Sequence, residues 1–437
     1  MLASILFTLI LIAAVGLFTK KINSVIRNIN LGRDLNLNNR KSERILTMIR
    51  VALGQSKMGS KPVAAFFHVI LYVGFVIINI EVIEIIIDGV FGTHRVLSFL
   101  GNFYNLLIGS FEYLAFLVFI ACFVFLSRRN ILKLKRFHMK EMTKWPKSDA
   151  NIILIIEVLL MSAFLIMNAC DYQLQILHVG HYFNGEIVGS FPISSHLISL
   201  LPANIESLEF IERFCWWFHI IGILAFLNYV PYSKHFHIML AFPNTYYSKL
   251  TPKGQFANME SVTNEVKLML DPTATPPTAD APPARFGAKD VQDLTWKQLM
   301  DSYSCTECGR CTSACPANLT GKLLSPRKIM MDTRDRLEEV GKNIDKHGAD
   351  YADDKALLGN YISEEELWAC TSCNACTEAC PVNIDPLSII LDMRRYLVME
   401  QSTAPAELQG MFAKIENNGA PWQFPASDRM NWTKEEN

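Results

Sequence analysis

Two cysteine runs late in the sequence constrain this chain most. Cys305, Cys308, Cys311 and Cys315 form C-x2-C-x2-C-x3-C followed by Pro316. Cys370, Cys373, Cys376 and Cys380 repeat the spacing ahead of Pro381. Three thiolates at three-residue steps can wrap one face of an iron–sulfur cube. Structural zinc is the plainer reading of paired cysteines. It uses two C-x2-C pairs, and the third and fourth cysteines of each run are surplus to that pattern.

In two-cluster ferredoxins the fourth cysteine of a run reaches the other cluster. The expected ligand sets are therefore Cys305, Cys308, Cys311 and Cys380 for one [4Fe–4S] cluster, and Cys370, Cys373, Cys376 and Cys315 for the second. A longer repeat supports the crossing. Pro-Ala-Asn-Leu, Ser325-Pro326 and Ile329 to Arg334 follow the first run; Pro-Val-Asn-Ile, Asp385-Pro386 and Ile389 to Arg394 follow the second. Each half reads as a cysteine loop and a proline-started helix, with an insertion at Thr320 to Leu324 in the first copy. A charged stretch, Asp335 to Glu365, is expected to separate the halves.

The formal net charge of −1 hides a division, since the first half is apolar and the second polar. Apolar runs near Leu2–Phe18, Val63–Ile87, Leu106–Leu126, Ile152–Met167 and Phe210–Val230 approach the length a bilayer needs, which predicts five transmembrane helices. No basic residue precedes the first run, and Lys20 and Lys21 follow it, so it reads as a retained helix with its N-terminus outside rather than a signal peptide. Ten Lys and Arg lie between Lys20 and Lys61 and eight between Arg128 and Lys147, whereas the loop after the second span holds only Arg95. The positive-inside rule places the basic loops, and with five spans the cysteine domain, in the cytoplasm. In that reducing compartment thiolates serve metals rather than disulfides.

Histidine inside a span is costly without a role. His68 lies early in the second span and His219 within the fifth, and His237 lies beyond Pro231. His219 and His237 are eighteen residues apart. On one continuous helix that is five turns, so both would face one way about 27 Å apart. His68 and His237 lie near the inner face and are a candidate pair for a b-type haem. The plainer reading of each is a histidine hydrogen-bonded to a neighbouring helix. His235 is expected at the headgroups, and Trp216 and Trp217 as interface anchors. Glu81, Glu84 and Asp88 share one face of the second span, where carboxylates could accept protons from a quinol beside an outer haem; the plainer reading puts Glu84 and Asp88 at the membrane edge as solvated charges. Cys122, Cys170 and Cys215 read as packing residues.

The segment Phe218-His219-Ile220 through Val230-Pro231-Tyr232-Ser233-Lys234-His235-Phe236-His237-Ile238 resembles the last helix of the gamma subunit of respiratory nitrate reductase, a resemblance covering roughly residues 1–250. It implies a five-helix cytochrome b with haem ligands at His219 and His237, and His68 as the ligand on the second span. The chain departs from that family at Ile78, where a further histidine is expected. The partner of His219 would then be His94, or His178 or His181, unless a single haem is bound. The C-terminal half resembles the dicluster component of heterodisulfide reductase and the iron–sulfur components of glycolate and glycerol-3-phosphate oxidising systems, as does the tail Ile415 to Trp422. Those groups often continue into Cys-Cys-Gly domains, which are absent here. The resemblance thus implies a substrate site on another polypeptide.

The expectation is a mainly α chain: a transmembrane haem-binding bundle at 1–250, a Pro-rich linker at 251–290, a cytoplasmic two-cluster domain at 291–400 and a partner-docking tail at 401–437. It would pass electrons between quinone, one or two b-type haems, two [4Fe–4S] clusters and a cytoplasmic redox partner, heterodisulfide reductase-like or 2-hydroxy-acid oxidase-like. A membrane-anchored iron–sulfur sensor without haem is the alternative. No P-loop, G-x-G-x-x-G or nucleophile elbow is present, which argues against a nucleotide, and the basic loops need no nucleic acid.

Overall fold

The computed structural model describes residues 1–183, 185–271, 273 and 285–434. Among the described residues it is helical, with isolated bridges (Arg33 with Thr295, Leu358 with Ile362) in place of strands. The first part comprises α1 (Leu2–Ile29), α2 (Lys41–Met48), α3 (Pro62–Phe91), α4 (Asn102–Asn130), α5 (Trp145–Ile176), α6 (Ile205–Tyr229) and α7 (His237–Tyr246). Helices α1, α3, α4, α5 and α6 are long and apolar enough to cross a membrane, and all outrun the apolar runs that announce them.

Helix α3 turns apolar residues outward and its acids inward, the reverse of a helix in water. On α3, Phe66 is 64% and Ile83 58% exposed, whereas Glu84 is 3% exposed. Lipid accepts the outer face, and buried polar groups must find partners inside the bundle. The bundle core joins Tyr104, Ile108 and Phe111 of α4 to Leu160, Met161 and Phe164 of α5 and Cys215 of α6. Gly222 of α6 lets the backbones close, since a Cβ there would stand 2.6 Å from Leu160 Cδ2. Trp216 and Trp217 turn inward, their rings 5.6 and 6.1 Å from Phe7 of α1, rather than anchoring an interface.

The expected continuous helix through His219 and His237 is not formed. Helix α6 stops at Tyr229, 3-10 turns occupy Val230–Tyr232 and Lys234–Phe236, and α7 starts at His237. Pro231 removes a backbone donor and its ring crowds the preceding turn, so the helix breaks there. His219 and His237 therefore lie on different helices, and a five-turn spacing does not relate them.

The linker region contains an exposed helix, α8 (Glu260–Leu270), while positions 272 and 274–284, with most of the linker prolines, lie outside the described residues. The cysteine domain follows with α9 (Trp296–Ser304), α10 (Arg310–Ala314), α11 (Pro316–Leu319), α12 (Pro326–His347), α13 (Leu357–Asn360), α14 (Glu364–Trp368), α15 (Ala375–Ala379), α16 (Pro386–Arg395) and α17 (Ala406–Asn418). Leu299, Ile329, Leu337, Leu357, Ile389, Ile390 and Met393 are fully buried in its core. The stretch expected as a charged spacer instead belongs to this fold. Helix α12 runs through it, and Arg336 pairs with Asp290 (2.7 Å) and Asp353 (2.6 Å).

The repeat is visible as paired bonds. Pro326 and Pro386 open α12 and α16, capped by Ser325 and Asp385. Thr312 bonds Ser325 at 2.9 Å, and Thr377, at the same place in the second run, bonds Asp385 at 3.1 Å. The basic loops meet this domain at one end of the bundle. Arg33 N–H donates to Leu294 O (2.7 Å), Asn28 to the Tyr303 hydroxyl (3.0 Å), and Lys21 pairs with Glu338 (3.0 Å).

Candidate metal centres

Each cysteine loop is curled by left-handed residues at matching positions. Glu307 and Gly309 have φ of 53° and 71°, and Ser372 and Asn374 have 56° and 60°. At Gly309 the left-handed φ is joined by a close approach, because a Cβ would lie 2.5 Å from an Arg327 nitrogen. The cysteine helices α10 and α15 pack against each other. As a result, Cys305, Cys308 and Cys311 line one cavity together with Cys380 of the other run. Arg310 and Arg327 also line it, with Met330, Val382 and Ile384 as apolar walls.

Backbone N–H groups point at sulfur: Ser372 N donates to Cys370 Sγ (3.4 Å) and Ile384 N to Cys380 Sγ (3.3 Å). Burial pushes the thiols of Cys305, Cys376 and Cys380 up to about 12. Cys370 is raised first by burial, with Cys315 and Cys373 near enough to push the same way. These thiols stay protonated unless a metal takes the thiolate. Among the described residues no group of His, Cys, Asp or Glu closes around a single ion. A zinc site needs four such ligands on one ion, whereas a cubane takes each thiolate on a separate iron. The donor set fits the cluster. Cys373 is exposed, unlike the other seven.

Above this cavity stand two histidines. His68 on α3 and His237 at the start of α7 have ring centroids 6.4 Å apart. Two imidazoles bound to opposite sides of one metal, with nitrogen–metal bonds of about 2 Å, have centroids roughly 6 Å apart. His237 Nδ1 donates to Lys234 O at 3.0 Å, leaving Nε2 free. His68 Nδ1 is buried without a hydrogen-bond partner. The separation suits two imidazoles on one metal, the kind of ligand pair a haem iron would take. His235 packs inward on Phe226, with centroids 5.3 Å apart. A separate cavity at this end is lined by Phe125, Ile153, Leu154 and three arginines, Arg128, Arg129 and Arg136, and by none of the histidines.

His219 is 1% exposed; its Nδ1 donates to Leu160 O at 3.0 Å and its ring lies against Phe164. His94 is placed elsewhere, 3.7 Å from Asp171 and beside the rings of His181 and Tyr182. His178 stacks on Phe183. Position 78, an isoleucine, is buried in the bundle core.

Sequence reasoning missed what surrounds these groups. Arg310 of the first cysteine loop donates to Lys57 O and Ser60 Oγ, both at 3.2 Å, at the foot of α3. It also missed Arg95, Tyr104, Glu112, Asn168 and Asp171, which gather with Glu81, Glu84 and Asp88 inside the bundle; all eight are buried. The signal was available as polar residues in apolar spans, and Arg95 as the lone base of its loop. Solvated charges at the membrane edge are therefore not what Glu84 and Asp88 are.

Residues 304–384 match the 4Fe-4S dicluster domain family. Over 99% of its length the chain is 29% identical to a probable iron–sulfur-binding oxidoreductase, FadF, of Bacillus subtilis, covering 61% of that protein. Over 92% it is 26% identical to an EtfAB:quinone oxidoreductase of Syntrophomonas wolfei, covering 55% of it. The chain thus spans less than two thirds of either relative. Over 27% of the chain it is 33% identical to a component of the ferredoxin/F420H2-dependent CoB-CoM heterodisulfide reductase of Methanosarcina acetivorans, covering 60% of that polypeptide. No solved structure matches the chain. The chain carries an iron–sulfur dicluster domain and is homologous to iron–sulfur oxidoreductases that include a small component of heterodisulfide reductases.

Proposed function

We propose that the chain is a membrane-embedded electron-transfer protein linking a quinone pool to a cytoplasmic redox partner. Bound here, a b-type haem and two [4Fe–4S] clusters would supply one-electron carriers. Cys305, Cys308, Cys311 and Cys380 would hold one cluster, and Cys370, Cys373, Cys376 and Cys315 the other. His68 and His237 would hold the haem, whereas His219, bonded to Leu160 O, and His94, beside Asp171, are not brought together for a second.

The observation that carries the reading is the position of Arg310. It lines the first cysteine cavity and grips the Lys57–Ser60 turn, from which α3 rises to His68. This contact ties the cavity to the foot of the helix that carries His68 and supports a relay in the order histidine pair, first cysteine set, second set. The exposed Cys373 then presents the second set to the partner. The EtfAB:quinone relative favours quinone as the membrane-side reactant. The heterodisulfide reductase relatives, by name subunits of larger enzymes, favour a separate redox partner, and a polypeptide with Cys-Cys-Gly domains is proposed for that place. In this reading residues 1–250, 291–400 and 401–437 are the membrane, cluster and docking units, the cluster domain faces the cytoplasm, and the N-terminus lies outside.

A reduced-minus-oxidised optical spectrum of the purified protein, with haem and iron quantified per chain, tests the proposal. Haem b with iron for two cubanes is expected. Iron without haem would overturn the relay and leave a membrane-anchored iron–sulfur protein.

A further inference from the structure

In the half of the bundle farthest from the cysteine domain five buried carboxyls gather about one arginine, Glu81, Glu84 and Asp88 on α3, Glu112 on α4 and Asp171 on α5, while another, Glu212 on α6, pairs with Arg213 and accepts from the Tyr182 hydroxyl. The buried base among them is Arg95, which bonds Asp171 (2.6 Å), the Tyr104 hydroxyl (3.1 Å) and Asn168 (3.1 Å). Four of the carboxyls have donors that suit an anion. Glu84 accepts from Leu97 N (2.9 Å) and the Tyr104 hydroxyl (3.0 Å). Asp88 accepts from the N–H groups of Arg95 (2.8 Å) and Val96 (3.2 Å), and Glu112 from those of Ile193 (2.9 Å) and Ser194 (3.0 Å).

Glu81 differs. It is 4% exposed, its Oε2 is buried without a hydrogen-bond partner, and the charged groups facing it are Arg95, Glu84, Glu112 and Asp171. Five anions against one guanidinium in a water-poor interior leave uncompensated negative charge. Glu81 is the one carboxyl of the five with no donor to hold an anion.

We infer that Glu81 is a proton-carrying site that exchanges with water at the bundle face away from the cysteine domain. Glu84 lies one turn along α3 and Asp88 one turn further, so the three carboxyls span about 10 Å of the axis. Asp88 ends the row at the loop, where Thr93 donates to it. In the transfer the Glu81 acid gives its proton to the Glu84 carboxylate, Glu84 hands it to the Asp88 carboxylate, Asp88 releases it to water, and a proton returning along the row restores Glu81. No oxidant or reductant is consumed. The role of the row, to compensate charge when electrons enter or leave the bundle, rests on the electron-transfer reading; the site itself does not.

Infrared spectra of the full chain in detergent at neutral pH, recorded in H2O and D2O without added quinone, test this. The carbonyl stretch of a protonated carboxylic acid is expected, sensitive to D2O and diminished in Glu81→Gln. Glu84→Gln, which keeps an acceptor for Tyr104, should retain the band but slow its exchange by about tenfold or more, one step of the row being impaired. An unchanged band in folded Glu81→Gln would overturn the site. Unchanged exchange in Glu84→Gln, or exchange only after a quinol is added, would overturn the path to water. A preparation that lacks haem would still give the band, so failure of the electron-transfer reading is separately visible.

Discussion

Arg327, in the first turn of α12, pairs with Glu141 of the loop between α4 and α5 at 2.7 Å, and its side chain is fully buried. The same guanidinium donates to Arg136 O at 2.6 Å, and Ser325 donates to Glu141, also at 2.6 Å. The helix that follows the first cysteine run is thereby locked to a membrane loop. The cysteine cavity, which Arg327 also lines, is held at one height above the bundle.

Breaking such a pair from one side leaves a buried charge uncompensated. Glu141→Gln should destabilise the docked state by about 3 kcal/mol or more. Thermal unfolding followed by circular dichroism reads the loss, and an unshifted midpoint would show the pair to be incidental.

The same pair makes docking sensitive to acid. Burial alone would raise the Glu141 carboxyl, but the Ser325 hydroxyl and the Arg327 guanidinium hold it below its usual range. A depressed carboxyl contributes stability that is full above its unfolded value of about 4.3 and lost as pH falls through the lower folded value. The stability gap between the parent protein and Glu141→Gln should thus be widest near neutrality and close below about pH 4.

His237→Ala and His68→Ala should each remove the haem absorbance assigned to the inner site while leaving cluster iron in place. Spectra and iron assays on the same preparations check this. Full haem content in either variant would reject the pair as ligands.

Cys380→Ser should empty the site shared with Cys305, Cys308 and Cys311, although Cys380 belongs to the other run. About four of eight irons per chain should be lost, and electron paramagnetic resonance should show one cluster remaining. Cys315→Ser should do the converse. If Cys380→Ser instead disturbs the site of Cys370, Cys373 and Cys376, the crossed ligation is wrong.

What the sequence determined by itself is local and periodic. Two cysteine runs with the same spacing announce two loops of one geometry, Ser325-Pro326 and Asp385-Pro386 announce capped helix starts, and five apolar runs announce five long helices. These signals lie within a few turns of chain, where propensity and hydrophobic length decide. Tertiary structure decided the rest. Packing of α10 on α15 carried Cys380 into the cavity of the first run. The break at Pro231 set His237 on a new helix facing His68, although the helical arithmetic had joined it to His219. Closure of α3, α4 and α5 buried Glu81, Glu84 and Asp88 with an arginine that no spacing rule connects to them. Each outcome depends on which distant segments exclude water together, and burial of that kind is a property of the assembled helices rather than of any one stretch of chain.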